Sequence, residues 1–368
     1  VPDSVIVLQS SAVISPFGGL KETVEQLSLG RRAVRPLSDF PNLPPGAPFI
    51  DPRNRDVRHA ADALKCAAGI ESFRDLRFPF LYCCAKGDIR ALESYIRGNL
   101  GKNLVSPFLD VQAHTVASEL GLTPWRILTV SNACASGALG VATAKELIED
   151  GETDGAVLFG YDCISRFVLS GFAALNALSW TGPRPFDIDR DGLSLGEAAG
   201  VCGLRYRGAK PGDIFVAGAG SSNDANHRTG PSRTGDGLLA AARAAIEDAE
   251  LSPDDIGFVK CHGTATVYND AMEAKALSGL FGKTIPPCVS FKGAVGHTSG
   301  GGSLVEMIIA AEFLKRKSVP PTVGFGALGV DEPIPVSGDA QDFSKPAVLC
   351  LSAGFGGVNA AIVLREHI

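Results

Sequence analysis

No stretch of this sequence comes near the roughly 18 consecutive apolar residues that a membrane-spanning helix requires, so nothing in it reads as a span. The opening V-P-D-S-V-I-V-L has neither the basic start nor the cleavage signal of a secretory leader, and a soluble, cytoplasmic protein is expected. No C-x-x-C pair occurs. The nine cysteines are an odd set scattered mostly through apolar, strand-like runs, which speaks against a disulfide framework or zinc site and for core thiols in a reducing compartment. Excess positive charge is also missing: a net charge of −6 disfavours a nucleic-acid partner, while leaving room for a local basic patch that meets an acidic protein. What is present, 45% hydrophobic and 20% charged residues over 368, is a globular chain with enough mass for one large or two modest cores.

The stretch from Thr129 to Gly151 organises the rest. Arg126 to Ser131 (R-I-L-T-V-S) has the pattern of a buried strand, and from Ser136 small and aliphatic residues run on to a helix C-terminus at K-E-L-I-E-D-G. Cys134 therefore falls in a strand-to-helix turn. The first turns of that helix hold only small and aliphatic residues, which predicts a buried helix with other backbone close against it. A thiol at a helix N-terminus meets the positive end of the helix dipole and free N–H groups, an environment expected to favour thiolate. Alone, such a cysteine would read as an inert core thiol.

Two histidine motifs reverse that. The first is K-C-H-G-T-A-T-V-Y-N-D-A-M-E (260 to 273), a strand running into His262 and then two threonines, with Asp270 and Glu273 opening a helix. The second, S-F-K-G-A-V-G-H-T-S-G-G-G-S-L-V-E (290 to 306), places Lys292 and His297 between a strand and the glycine-rich start of a helix. A third segment, L-S-A-G-F-G-G-V-N-A (351 to 360), makes a glycine-rich turn before the last strand; it lacks the G-x-G-x-x-G spacing and following helix of a phosphate cradle.

Helices are expected over Leu20 to Leu29, Ala60 to Gly69, Asp88 to Arg97, Leu109 to Leu122, Gly237 to Glu250 and Gly301 to Lys317. Strands are expected at 5 to 9, 155 to 162, 200 to 207, 214 to 218, 256 to 261 and 287 to 290, and the arginine- and proline-rich stretch from Arg31 to Arg58 reads as a surface loop. A composition break near Lys210-Pro211-Gly212 divides the chain into halves at 1 to 208 and 209 to 368. The halves echo each other. V-S-N-A-C before one small-residue helix parallels V-S-F-K-G before another, and A-V-L-F-G…E-A-A-G-V-C-G-L-R parallels A-V-L-C-L-S…N-A-A-I-V-L-R. Two echoes in the same order predict a duplicated α/β unit packed as one body, with buried helices between sheets.

Together and in this order the motifs resemble the β-ketoacyl synthases, the condensing enzymes of fatty-acid and polyketide synthesis. The likeness covers nearly the whole chain: A-C-A-S-G, R-P-F-D-x-D-R-D-G at 184 to 192, H-G-T-x-T…N-D, K-x-x-x-G-H and the final G-F-G-G. It implies a thiolase-like αβαβα fold and an acyltransferase in which Cys134 is the nucleophile and His262 and His297 complete a Cys-His-His triad. Lys292 and Glu306 then match supporting polar residues, and Thr264 and Thr266 those that bind pantetheine. The backbone N–H groups of Cys134 and Phe355 would form an oxyanion hole. The implied chemistry is acyl transfer to Cys134, then decarboxylation of a malonyl thioester and Claisen condensation, with the histidines serving decarboxylation more than acylation. The implied partners are acyl carrier protein, which brings its own phosphopantetheine, and a second identical or ketosynthase-like subunit. No metal or redox cofactor is required. The candidates for docking the acidic carrier are Arg205, Arg207, Lys210 and the arginines between Arg31 and Arg58.

Departures from the family pattern lie between about Pro41 and Pro107 and at Ala353 and Val358, where many members have Phe and Thr; an altered acyl channel is expected. Two other functions fit the same motifs. A non-catalytic chain-length-setting subunit would usually lack the cysteine, and a CoA-dependent thiolase would need a second cysteine near the last glycine turn, where Cys350 is misplaced.

Overall fold

A computed structural model of the protein describes residues 4–33, 35–36, 46–73, 77–98 and 107–368. Ten strands make its main sheet: β1 Val5–Ile14, β2 Pro79–Cys83, β3 Arg126–Val130, β4 Gly155–Asp162, β5 Ala198–Arg207, β6 Ile214–Asn223, β7 Ile256–Lys260, β8 Cys288–Val289, β9 Ala347–Gly354 and β10 Val358–Glu366. The helices are α1 Leu20–Ser28, α2 Val57–Ala68, α3 Ile89–Ile96, α4 Leu109–Glu119, α5 Ser136–Glu149, α6 Arg166–Ala174, α7 Asp236–Asp248, α8 Val267–Phe281, the single turn α9 Lys292–Val295, and α10 Ser299–Arg316.

The strand order is β3-β2-β4-β5-β1-β6-β10-β9-β7-β8. Read outward from the centre, β1-β5-β4-β2-β3 and β6-β10-β9-β7-β8 follow the same plan. In each, the first three strands pair antiparallel and the outer ones parallel. The expected duplication is thus a repeated topology. The wings are stitched by antiparallel pairing of Ile6 with Val216 and Val7 with Phe215, so they form one hydrogen-bonded sheet where two were expected.

α5 and α10 lie between the wings, packed on each other and on strands of both, while α2 with α4 and α7 with α8 cover the outer faces. That gives the five layers of a thiolase-like fold. The largest core cluster surrounds the central pair, and further clusters fill the space under each outer layer. Small residues permit the central crossing: a Cβ on Gly137 would stand 2.4 Å from the backbone nitrogen of Leu304. Removing the Ile308 side chain, fully buried on α10, should cost about 2–5 kcal/mol.

Local signals place the elements. Asp56 caps α2 by accepting from Arg58 N, and Gly69 ends it in the left-handed region at φ 62°. Ser165 caps α6, a helix not anticipated from sequence, by accepting from Val168 N. β2 was likewise not expected; its proline stands at the first strand position, where a missing N–H is tolerated. Two expectations are corrected. β3 is the outermost strand of its wing and is partly to fully exposed along its length, because an apolar, β-branched run has the same composition whether it ends up central or at an edge. The 31–58 stretch is not simply a surface loop where it is described. Arg32 reaches inward to the Gly293 and Pro183 carbonyls, and Arg55 to Glu197 and the Ile164 carbonyl. The remainder of that stretch, with the Arg35 side chain, lies outside the described residues.

Candidate active site

β3 ends at Val130 and a 3₁₀ turn, Ala133–Ala135, leads into α5. Ser136 Oγ accepts from Asn132 N at 2.9 Å and donates to the Ala133 carbonyl at 2.7 Å, which ties the turn shut. Ala133 is held at φ 47°, a conformation costing an ordinary residue about 1–2 kcal/mol and common at functional turns. The elbow lifts Cys134 so that its side chain faces a cavity of about 410 Å³.

His262 follows β7 and His297 follows α9, so the two wings' equivalent strand ends bring three side chains together. His297 Nε2 lies 3.1 Å from Cys134 Sγ, and the two imidazoles meet edge to face with centroids 5.3 Å apart. Backbone bonds fix both. Glu273 accepts from His262 N at 2.6 Å and Gly263 N at 2.7 Å, while His297 N donates to the Ser194 carbonyl and its own carbonyl accepts from Gly196 N. The R-P-F-D-x-D-R-D-G run proves to be scaffolding for these loops. Asp270 accepts from Phe186 N and Ala265 N, and Asp187 accepts from Gly326 N and Ala327 N.

Electrostatics of the site are set by dryness. Burial pushes the Cys134 thiol up to about 11, with Lys292 opposing, Asp162 adding, and Lys86 and the Phe355 N–H opposing in smaller measure. Burial thus opposes the thiolate that the helix end is expected to favour. The contact with His297 compensates in either tautomer, since the ring can accept the thiol proton or donate to the anion. Burial, then Lys292, holds His262 well below the usual imidazole range and brings His297 down to about 3. Both rings are neutral at pH 7.

Lys292 Nζ donates to both Glu306 oxygens, at 2.6 and 2.9 Å. A third member was not anticipated: Lys260 Nζ donates to Glu306 Oε2 at 2.9 Å and to the Leu351 carbonyl at 2.7 Å. Its signal was present in F-V-K-C-H, where a charged residue interrupts an apolar strand. Burial alone would raise the Glu306 carboxyl, but Lys260 and Lys292 hold it below the usual carboxylate range. Asp162, at the end of β4, was also missed; it accepts from Ala85 N and Gly301 N and pairs with Lys86.

The cavity brings together the other expected residues. Thr264 and Thr266 line it with their hydroxyls 2.9 Å apart, and Phe355 lines it with its ring stacked on Phe172 at 5.6 Å. Ala353 also lines it. All nine cysteines are free; Cys134 is the one on the cavity wall, and Cys350 is buried in the central core cluster. A carboxylate oxygen of Glu197 and Nδ1 of His297 are buried without partners among the described residues.

The structure places part of the expected docking set away from the cavity. β4 reaches the site at Asp162, and antiparallel β5 starts beside it at Ala198 and runs away. Arg205, Arg207 and Lys210 consequently sit at the opposite end of the sheet from Cys134, with Arg207 spent on Asp213 at 2.7 Å. Arg32, Arg55 and Arg58 are engaged in internal bonds, and Arg53 is paired with Asp51.

The repeated sheet plan, the central helix pair and the cysteine at the helix entry define a thiolase-like protein. Residues 98–207 match the family description of the β-ketoacyl synthase N-terminal domain and residues 214–326 that of its C-terminal domain. A 3-oxoacyl-[acyl-carrier-protein] synthase 2 of Staphylococcus aureus is 32% identical over 288 residues, covering 72% of this chain and 69% of the relative. One from Rhizobium meliloti is 36% identical over 258 residues, covering 65% and 60%. Among solved structures, a β-ketoacyl synthase from Burkholderia phymatum superposes with TM-score 0.88 at 26% identity over 99% of this chain and all of the other. The ishigamide ketosynthase/chain length factor gives 0.89 at 26% over the whole of both. The chain belongs to the β-ketoacyl synthase family, and with it to the condensing transferases. No helix of the described residues is long and apolar enough to cross a membrane.

Proposed function

We propose that the protein is an active β-ketoacyl synthase that joins an acyl group held on Cys134 to a malonyl thioester. The observation that carries this is the 3.1 Å approach of His297 Nε2 to Cys134 Sγ, in a cavity that His262 shares. The Cys134 sulfur attacks the acyl thioester carbonyl; the bond from carbonyl carbon to pantetheine sulfur breaks and the thiol leaves. The malonyl thioester then binds in its place. Loss of CO₂ leaves an enolate whose thioester oxygen accepts from the two neutral imidazoles, and N–H donors in a dry site are worth most where charge develops. The enolate carbon attacks the acyl carbonyl, whose oxygen becomes an oxyanion that accepts from the N–H groups of Cys134 and Phe355; the carbonyl then re-forms and the carbon–sulfur bond breaks, Cys134 leaving with the electron pair.

Thr264 and Thr266 hold the pantetheine arm in this scheme, and Lys292 with Glu306 supports the histidine side. The reaction needs no cofactor of the protein's own. The first half, 1–208, supplies the nucleophile and the second, 209–368, both histidines. Acyl carrier protein is the donor, because the lining threonines Thr264 and Thr266 offer hydroxyls to a pantetheine arm that reaches Cys134 through the cavity. Exposed Arg228, Arg233 and Lys275 flank the mouth: His227 and Thr229 line it beside Arg228, and Lys275 donates to the Arg233 carbonyl. A second ketosynthase-like subunit, identical or related, pairs with β3. Its outer edge has no strand partner among the described residues, and an open edge is a template for another strand.

The test is intact-mass measurement after incubation with acyl thioesters, followed by addition of malonyl carrier protein. One acyl adduct, lost in Cys134→Ala and consumed with release of CO₂ in the wild type, is expected. An adduct that persists on another cysteine, or an acyl-enzyme that never turns over, would overturn the proposal.

A further inference from the structure

Lys260 has no part in the chemistry set out above. It lies on β7, two residues before His262, and is fully buried. Its ammonium has two partners, Glu306 Oε2 and the Leu351 carbonyl, which come from different elements of the fold. Packing alone does not ask for it: an apolar side chain of similar size fills a core position without the cost of desolvating an ion. Two lysines on one carboxylate also leave the cluster with a net positive charge instead of a balanced pair.

That excess sits where it matters. Lys292, Glu306, both histidines and Cys134 bound one small void. The charged and titratable groups facing the two rings are Lys292, Glu306, Lys260, Lys86 and Cys134, with Glu273 under the His262 backbone and each imidazole facing the other. Glu306 is the anion among them that pulls His297 toward protonation, and His297 Nδ1 is a buried ring nitrogen with no partner among the described residues. A Glu306 free to turn would find that ring.

We propose that Lys260 is a positioning residue for the decarboxylation step: with Lys292 it fixes Glu306 and so keeps the carboxylate off the histidines. The inference rests on His262 and His297 being the N–H donors to the malonyl thioester. Anchored to the Leu351 carbonyl, Lys260 holds one Glu306 oxygen while Lys292 spans both, so three donor bonds fix the carboxylate's orientation. A carboxylate on Nδ1 would hold the ring proton there and leave Nε2, the nitrogen that faces Cys134, able to accept from the thiol but not to donate to an enolate; with Glu306 held away, Nε2 keeps its proton.

The experiment uses the full chain with Lys260→Met, which removes charge and hydrogen bonds, and Lys260→Gln, which keeps a donor. Acylation of Cys134 by a short acyl-pantetheine thioester is followed by intact mass, and CO₂ release from malonyl-pantetheine is followed between about pH 5 and pH 9. With Lys260 gone, acylation should stay within about threefold while CO₂ release at neutral pH falls by about tenfold or more. The deficit should hold across that pH range, since a change of tautomer is not a titration, and Lys260→Gln should recover part of it. Unchanged CO₂ release in the folded variants overturns the proposal. So does an equal loss of both steps, or failure of both variants to fold, because each assigns Lys260 to the core. A wild-type protein that neither acylates nor releases CO₂ overturns the functional proposal itself and the inference with it.

Discussion

A Cβ placed on Gly354 would stand 3.2 Å from the backbone nitrogen of Cys134 and 3.4 Å from that of Ala135. The glycine turn of β9 is pressed against the nucleophile elbow so closely that the space over the Cys134 N–H exists only because residue 354 has no side chain. Gly354→Ala should therefore cover that N–H and push the elbow by a few tenths of an ångström. Acyl transfer is expected to fall about 10²–10³-fold, the cost of one lost oxyanion donor, with little change in melting temperature. Rapid-quench measurement of a single acylation turnover checks it; normal acylation would remove the Cys134 N–H from the mechanism.

The histidines should separate by step, but not as the sequence implies. Sequence reasoning assigns both to decarboxylation on the premise of a ready thiolate. A thiol that burial pushes up to about 11 and that touches His297 gives this ring a part in acylation as well. His297→Ala should slow acylation by about 10²–10⁴-fold as well as abolish condensation. His262→Ala should leave acylation within about threefold and lose CO₂ release. Stopped-flow acylation run beside CO₂ capture on the two variants decides between one division of labour and the other.

Stability should fall as the solution is acidified, for a reason located in the same site. An unfolded histidine binds a proton near pH 6.5, whereas folded His297 does not until about 3 and His262 is depressed in the same direction. Across that window the unfolded chain holds more protons, so unfolding becomes easier as pH drops, by up to about 1.4 kcal/mol per pH unit for each histidine. Urea midpoints at about pH 7 and about pH 5 should show His297→Gln gaining on the wild type at the lower value. A constant difference between the two proteins would contradict the depressed imidazole.

Carrier docking should respond to salt and to charge at the mouth. Reversal of Arg228 and Arg233 should raise the apparent KM for carrier-bound malonate several-fold, an effect that added salt mimics because exposed charges are screened over about 10 Å at 0.1 M. Turnover of a free pantetheine thioester should hardly change. Charge reversal at Arg205 and Arg207, at the far end of the sheet, should do nothing to either substrate. A carrier effect at those two positions instead would move the docking face.

What was legible in the sequence followed from local constraint. Cys134, His262 and His297 each sit where an apolar strand gives way to a helix or glycine turn, and those punctuation marks are local. Lys292 and Glu306 came with the family pattern. Lys260 did not, because its partners lie 46 and 91 residues away, at Glu306 and Leu351. The edge position of β3 was hidden for a related reason: strand order is a property of the whole sheet, and R-I-L-T-V carries no mark of which neighbour it will lack. Arg205 and Arg207 misled because charge is visible in sequence and direction is not; only the antiparallel run of β5 away from Asp162 shows that they face elsewhere.

The pairing of Ile6 with Val216 has a mechanical meaning. With the wings joined through β1 and β6 and two buried helices wedged between them, the described residues offer no hinge about which the halves could swing. Substrate entry is left to what can move alone at the mouth, above all the Phe355 ring resting on Phe172. Rotations of single exposed side chains take about picoseconds to nanoseconds, against microseconds to milliseconds for domain closure. If those side chains alone control the opening, admission to Cys134 should be fast and reversible, with commitment of an acyl group left to the covalent step.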